Sequence, residues 1–401
     1  MIKLKKVLVI ASIPLGGVDK VNGYRQRVLS MRNSISLIGY EVHILWLYNI
    51  KDIFSLKMTK SCRDNDRNYY RPVIPFYCNQ FVSNVSRLIG ALWVKKLDRI
   101  NKYDGFHAET ALHGSICSMV NRKKTIVDFH GDLIAEMNMR GDKQWKVDLA
   151  YKDEKKAIGS ATGILAASKA LLTVLNERYG HIEIQSATAP CGVDVKRFEN
   201  AYDNRIKVRK RLGLEERIVF CYLGGFDKWQ NIEETLTLFK RIFELDNRSY
   251  LMIHTNSSIE KYKDMLNDLG DIGHNYNVIP LNSEQVPIYL PASDFGFLLR
   301  SDSPVNIVSS PTKFGEYLAA GLSVITTPYS GDAAEITSKY ECGFIINDDD
   351  VFNIGELMSY IVLSVENREN IFEKNRVLAV EQQSWVFSEK AISDLYEKVL
   401  A

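Results

Sequence analysis

Short apolar runs alternate with longer stretches whose apolar residues recur at helical spacing, and the alternation holds along the whole chain. A strand buried on both faces needs a continuous apolar run, and a parallel pair of strands needs a helix-sized connection between them. The pattern therefore predicts parallel β/α units. In the first half the strands are expected over Lys6–Ala11, Glu41–Leu47, Gly105–Ala108, Thr125–Phe129, Gly163–Ala167 and Ile184–Thr188. In the second half they are expected over Ile218–Leu223, Tyr250–His254, Asn277–Pro280, Phe295–Leu299, Ser323–Thr326 and Gly343–Ile346. Helical spacing covers Tyr24–Ile38, Ala170–Arg178, Ile232–Phe243 and Lys313–Ala320, and a final helix is expected from about Ser388 to Leu400. Each half reads as its own doubly wound sheet, with the turn-rich Pro190-Cys191-Gly192-Val193-Asp194 between them.

A chain of 401 residues is long for one core and suits two domains of roughly 200 residues each. No apolar run approaches the ~20 residues of a membrane-spanning helix. The opening Met1-Ile2-Lys3-Leu4-Lys5-Lys6 and the apolar run after it look like a short signal peptide, but no small-x-small cleavage site follows, so a first buried strand is expected. The six cysteines are scattered, with no C-x-x-C pair and no histidines at metal spacing, which fits reduced thiols in a cytoplasmic protein. The net charge of +2 hides an asymmetry. Residues 1–196 carry 30 Lys/Arg against 18 Asp/Glu, whereas residues 197–401 carry 21 against 31. A basic first half suits an anionic surface, and compositional drift explains it equally well. Val85-Ser86-Arg87-Leu88-Ile89-Gly90-Ala91-Leu92-Trp93-Val94-Lys95-Lys96 mixes apolar bulk, a tryptophan and basic residues, as interfacial helices do, and as ordinary packed helices also do.

Four segments carry residue types suited to ligand chemistry. Gly16-Gly17 follows the first strand and precedes a helix, where the backbone can approach an anion; an ordinary turn explains it as readily. Asp128-Phe129-His130-Gly131-Asp132 sits just past a strand end, the usual ligand side of an open α/β sheet, which makes His130 a candidate. Gly224-Gly225-Phe226-Asp227-Lys228 closes the first strand of the second half; backbone amides beside a lysine suit a diphosphate, although a loop lysine is commonly just solvated. Ser309-Ser310-Pro311-Thr312-Lys313-Phe314-Gly315-Glu316 starts a helix, with Ser/Pro/Thr expected to cap it, Lys313 to add charge for phosphate, and Glu316 to accept hydrogen bonds from a ribose diol or, more plainly, to complement the helix dipole. Asp64-Asn65-Asp66 and Asp348-Asp349-Asp350 match D-x-D metal motifs but lie in polar stretches away from the strand ends, so no metal site is expected.

Together these segments resemble glycosyltransferase family 4, retaining enzymes of the GT-B fold. Gly16-Gly17 matches the N-terminal glycine loop, Gly39-Tyr40-Glu41-Val42 is similar to G-H-E-V, and His130 matches the loop histidine near the donor sugar. Gly192-Val193-Asp194 with Phe198 matches G-V-D-x-x-x-F, and Glu316-Tyr317-Leu318-Ala319-Ala320-Gly321 matches E-A-M-A-x-G. Gly331-Asp332, Glu335 and Gly343-Phe344 follow in the order of G-G-x-x-E and G-F. Two departures stand out. Gly225 occupies the place of a usual arginine, and Val308 that of the first of two paired glutamates. The S-P-T-K-F-G-E-Y-L form resembles a subgroup from bacterial surface-polysaccharide clusters.

The resemblance implies two Rossmann-like domains facing each other across a cleft. It assigns 1–194 to an acceptor-binding domain, 195–380 to a nucleotide-sugar-binding domain, and 381–401 to a C-terminal helix packing back on the first. It implies retaining transfer of a sugar from a nucleoside diphosphate sugar to a glycan or lipid-linked glycan acceptor, as in capsule or O-antigen synthesis. No metal, no cofactor and no nucleic acid are expected, and an anionic face of the cell membrane is a candidate surface. His130, Lys228 and Lys313 are the expected catalytic residues; Gly16, Gly17, Gly224, Gly225, Thr312 and Glu316 are expected around the donor. A sugar-nucleotide epimerase of the same architecture, or a silent homologue serving as a partner-binding subunit, are the rival readings.

Overall fold

The structure is a computed structural model, and it describes residues 4–13, 23–53, 67–120, 124–180, 182–226, 228–255, 273–347 and 354–400. The Cα trace forms two compact units, Met1–Pro190 with Ser388–Ala401, and Cys191–Phe387.

The first unit contains a seven-stranded parallel sheet in the order β3-β2-β1-β4-β5-β6-β7. Its strands are β1 Lys6–Ser12, β2 Glu41–Asn49, β3 Asn68–Val73, β4 Gly105–Glu109, β5 Lys124–Phe129, β6 Gly163–Ala166 and β7 Gln185–Thr188. The central β1 is buried on both faces from Val7 to Ala11, as its unbroken apolar run requires. Among the described residues, β3 is the one strand outside the expected set. It lies at the sheet edge, mostly half-buried, and carries Arg71 and Pro72; proline is tolerated there because an edge strand leaves N–H groups unpaired.

The final helix, Trp385–Leu400, closes this unit. Leu400 packs over Gly105 and Val399 over Gly163, at sites where a side chain on either glycine would collide with them. Tyr396 is buried and its hydroxyl lies 2.8 Å from His107 Nδ1, while Lys5 Nζ donates to the Leu400 carbonyl at 2.6 Å.

The second unit contains a six-stranded parallel sheet in the order β10-β9-β8-β11-β12-β13. Here β8 is Ile218–Leu223, β9 Ser249–His254, β10 Tyr276–Val278, β11 Phe295–Leu298, β12 Ser323–Thr326 and β13 Gly343–Ile345. On one face Phe220 stacks between Phe295 and Phe297, with centroid distances of 5.0 and 5.5 Å. On the other, Tyr317 lies flat on Gly296, where a Cβ would come within 2.7 Å of its ring. The Tyr317 hydroxyl accepts from Leu223 N and donates to the Phe297 carbonyl, tying the ends of β8 and β11 together. Beneath the sheet, buried Asp294 pairs with Arg205, Arg209 and Arg368, and accepts the Val219 N–H at 2.8 Å.

Candidate active site

In each sheet the strand order reverses once, between β1 and β4 in the first and between β8 and β11 in the second. The crevice outside the carboxyl ends of those strands is where open α/β sheets hold ligands.

In the first unit that crevice holds a buried charged cluster. Glu109 ends β4, Asp128 lies near the end of β5, and His130 follows β5 directly. Arg27, from the helix Gly23–Leu37, grips Asp128 through Nε at 2.9 Å and Nη2 at 2.8 Å, and its Nη1 donates to the Ala189 carbonyl. His130 Nε2 stands 2.9 Å from Glu109 Oε2 and 3.2 Å from Asp128 Oδ2. These approaches lie off hydrogen-bond geometry, so charge rather than direction holds the ring. Burial alone would depress the His130 pKa, but the Asp128 and Glu109 carboxylates outweigh it and lift it to about 8. Burial likewise opposes both carboxylates, yet His107 and His130 hold Glu109, and Arg27 and His130 hold Asp128, well below the usual range.

His130 is the least buried member, at 17% exposed, and its ring lies tilted 5.5 Å from the Tyr24 ring. Glu109 also faces His107 Nε2 at 3.4 Å, which links the cluster through His107 to Tyr396 of the final helix. His113 bonds Ser12 Oγ at 2.9 Å and Thr110 Oγ1 at 3.0 Å, and burial drops its pKa to about 4, so it stays neutral.

Among the described residues, His107, Glu109 and Asp128 form the one group close enough to ligate a cation, with ligand atoms all within 4.8 Å. Arg27 and a protonated His130 already set two positive charges against the two carboxylates. A divalent ion would leave buried positive charge uncompensated.

In the second unit the helix Thr312–Ala319 points its N-terminus into the crevice. The expected serine and threonine capping is not what forms. Pro311 is the cap residue and makes no side-chain cap bond, while Ser309 Oγ donates to Asn306 and Ser310 Oγ accepts the Cys191 N–H. The first-turn amides are therefore left uncapped by any side chain, which suits an anion. Lys313 folds back over Gly224: its Nζ donates to Gln230 Oε1 at 2.5 Å and lies 5.6 Å from the Tyr222 ring centre. A Cβ at Gly224 would collide with that ammonium, and the φ of +147° also favours glycine there. Tyr222 donates its hydroxyl to the Gly225 carbonyl.

Glu316, one turn further on, is half-buried, and no hydrogen bond or ion pair to its carboxylate exists among the described residues. Burial lifts its pKa to about 7, with Arg197 and Lys313 only partly offsetting the effect.

The structure thus brings Lys313 onto Gly224, with Gly225 next in that loop and Thr312 and Glu316 on the helix that carries Lys313, and it places His130 at the end of β5 in the first unit. The backbone of Lys228 begins a 3-10 turn, Lys228–Gln230, but its side chain lies outside the described residues. Gly16, Gly17 and both D-x-D stretches also lie outside them. Sequence reading missed Arg27, Glu109, His107 and Tyr396. Glu109 is the one with a visible signal, a carboxylate directly after an apolar strand run.

A fold of two parallel-sheet α/β units, each with its polar residues at the switch point, is the GT-B architecture. Residues 204–377, within the second unit, match the family model of Glycosyl transferases group 1. No curated protein matches the sequence. Among solved structures, sucrose-phosphate synthase from Thermosynechococcus elongatus is similar at TM-score 0.73 and 14% identity, over 98% of this chain and 99% of that one. Anabaena HepE in complex with UDP-glucose is similar at TM-score 0.70 and 14% identity, over 98% and 99%. WaaG, a glycosyltransferase involved in lipopolysaccharide biosynthesis, is similar at TM-score 0.67 and 14% identity, over 97% and 99%. At such identities the likeness shows the GT-B fold.

Proposed function

We propose that this protein is a retaining, metal-independent glycosyltransferase that moves a sugar from a nucleoside diphosphate sugar to an acceptor hydroxyl in bacterial surface polysaccharide synthesis. The observation that carries the reading is the second crevice: an uncapped helix N-terminus, Lys313 folded over a glycine loop, and a half-buried carboxylate without a partner among the described residues. An unpaired half-buried carboxylate is costly unless hydroxyl donors complete it, and a ribose diol supplies two. HepE is solved with UDP-glucose, which makes a uridine nucleotide the first donor to try. In this reading residues 1–194 hold the acceptor, 195–380 the donor, and Gly16 and Gly17 approach the ligand with their backbone. Purified protein with a UDP-sugar and a glycan acceptor should form a glycoside of unchanged anomeric configuration in the presence of a chelator. Epimerised donor without acceptor consumption points instead to an epimerase, and failure to bind any nucleotide points to a silent partner-binding subunit.

Glu316 and His130 divide the work. Glu316→Gln is expected to weaken nucleotide binding about tenfold, since hydrogen bonds to a charged group contribute roughly 1.5–3 kcal/mol. Affinity should also rise with pH through about 7, as the carboxyl ionises and becomes a pure acceptor. His130→Ala should leave the affinity for free nucleoside diphosphate intact and lower kcat. Calorimetry and steady-state kinetics on the two variants read both effects, and the reverse pattern would exchange the assignments.

The protein acts, in this reading, in the cytoplasm and docks on the anionic inner face of the cell membrane, where a lipid-linked acceptor would lie. No helix among the described residues is long and apolar enough to cross a membrane. The helix Gln80–Asn101 exposes Phe81, Leu88 and Leu92 beside Lys95, Lys96 and Arg99, an apolar and basic face. Trp93 does not join it: its Nε1 donates to the Pro72 carbonyl, and Arg71 lies over its ring. Replacing Phe81, Leu88 and Leu92 by serine should abolish flotation with vesicles containing phosphatidylglycerol. Flotation that ignores anionic lipid content would remove the idea.

A further inference from the structure

Five arginines are buried among the described residues: Arg27, Arg87, Arg205, Arg209 and Arg300. Four of them each have a carboxylate partner. Arg27 pairs with Asp128, Arg87 with Asp153, and both Arg205 and Arg209 with Asp294. Arg300 is only 6% exposed, yet no carboxylate among the described residues pairs with it. Of its five guanidinium donors, Nη1 alone finds a described partner, the Leu299 carbonyl at 3.2 Å. A buried guanidinium without a counter-charge is costly, and burial accordingly pulls its pKa below the ordinary value.

The position of Arg300 says what the counter-charge is for. It stands two residues past β11, on the switch-point side of that strand. Its backbone is fixed: the Arg300 N–H donates to Thr327 Oγ1 at 3.0 Å, and Thr327 Oγ1 donates back to the Arg300 carbonyl at 2.7 Å. The nearest polar rings, Tyr222 and Tyr317, bond respectively to the Gly225 carbonyl and to the ends of β8 and β11. The Lys313 ammonium lies 5.6 Å from the centre of the Tyr222 ring. Two cations, one just past β11 and one on the helix Thr312–Ala319, therefore lie near Tyr222, whose hydroxyl holds the Gly225 carbonyl.

We propose that Arg300 is a diphosphate-binding residue, supplying from the end of β11 the guanidinium that the Gly224-Gly225 loop lacks. The inference rests on the donor-site reading above and deepens it. A planar guanidinium offers two parallel donors in a fixed fork to two phosphate oxygens, a geometry the rotatable lysine ammonium lacks. Arg300 therefore selects a diphosphate over a monophosphate, while Glu316 reads the sugar of the nucleoside.

Calorimetric titration of UDP, GDP and ADP, each beside its monophosphate, onto wild-type protein, Arg300→Met and Arg300→Lys tests this. Arg300→Met should weaken diphosphate binding about tenfold or more, the scale of a lost charge-assisted hydrogen bond, and change monophosphate binding less. Arg300→Lys should restore part of the loss. Thermal melting separates this role from a structural one. Replacing an unpaired buried charge with an apolar side chain of similar length should leave the nucleotide-free melting temperature unchanged or higher, while the diphosphate-induced rise shrinks. A wild type that binds UDP alongside an Arg300→Met variant with the same diphosphate-to-monophosphate ratio overturns the proposal and spares the donor-site reading. A wild type that binds none of the nucleotides overturns both.

Discussion

Lys313→Ala is expected to lower kcat/KM for sugar transfer by a factor of roughly thirty to a thousand, equivalent to about 2–4 kcal/mol of transition-state stabilisation. Negative charge grows on the departing diphosphate as the glycosidic bond breaks, so groups that meet it at that moment act on the rate. The Lys313 side chain is directed at the Gly224 loop, held by Gln230 and the Tyr222 face, and so is set in place before ligand arrives. Pre-set charge needs no reorganisation during the reaction, which is why its removal costs more than a mobile surface lysine would. Lys313→Arg should recover part of the rate, since the charge stays and its geometry changes. Turnover of Lys313→Ala within about twofold of wild type would show that backbone amides alone hold the leaving group.

Lys313 also shows what could be read without coordinates. Ser-Pro-Thr-Lys ahead of an apolar-periodic stretch marks a helix start, and the helix does begin at Thr312. The two serines looked like caps because serine caps helices well, but their hydroxyls are claimed by Asn306 and Cys191, partners no local rule supplies. The strands were legible wherever both faces are buried, as in β1 and β8, because burial then demands an unbroken apolar run. β3 was not, since an edge strand with Arg71 and Pro72 has the composition of a loop. The least legible parts are the charge pairs. Arg27 and Asp128 are 101 residues apart, and Arg27 in its helix looks like any solvated arginine. Arg300 is hidden for the opposite reason: a strand-end arginine reads as exposed, and only the structure shows it buried without a carboxylate partner among the described residues.

The Arg27–Asp128 pair carries the largest expected effect on stability. Asp128→Asn should destabilise the first unit by about 3–5 kcal/mol, the range for removing one partner of a buried ion pair. The substitution keeps the side-chain shape, so no cavity contributes; the cost is a buried guanidinium facing an amide in place of a carboxylate. His130 then adds a pH dependence. Its folded pKa, raised to about 8, stabilises the protein fully below the ordinary value near 6.5 and ceases to do so as pH rises through about 8. Asp128, held well below its ordinary value, contributes above the usual carboxylate pKa and loses this only in strong acid, so its own term is constant near neutrality. The variant loses much of the support for protonated His130. The stability gap between wild type and Asp128→Asn should therefore be widest near about pH 6 and narrower near about pH 9. Urea unfolding at both values measures it, and a gap that widens with pH would mean that His130 is not charged by this cluster. Arg27→Met combined with Asp128→Asn should cost less than the sum of the single changes, because no bare charge is left inside.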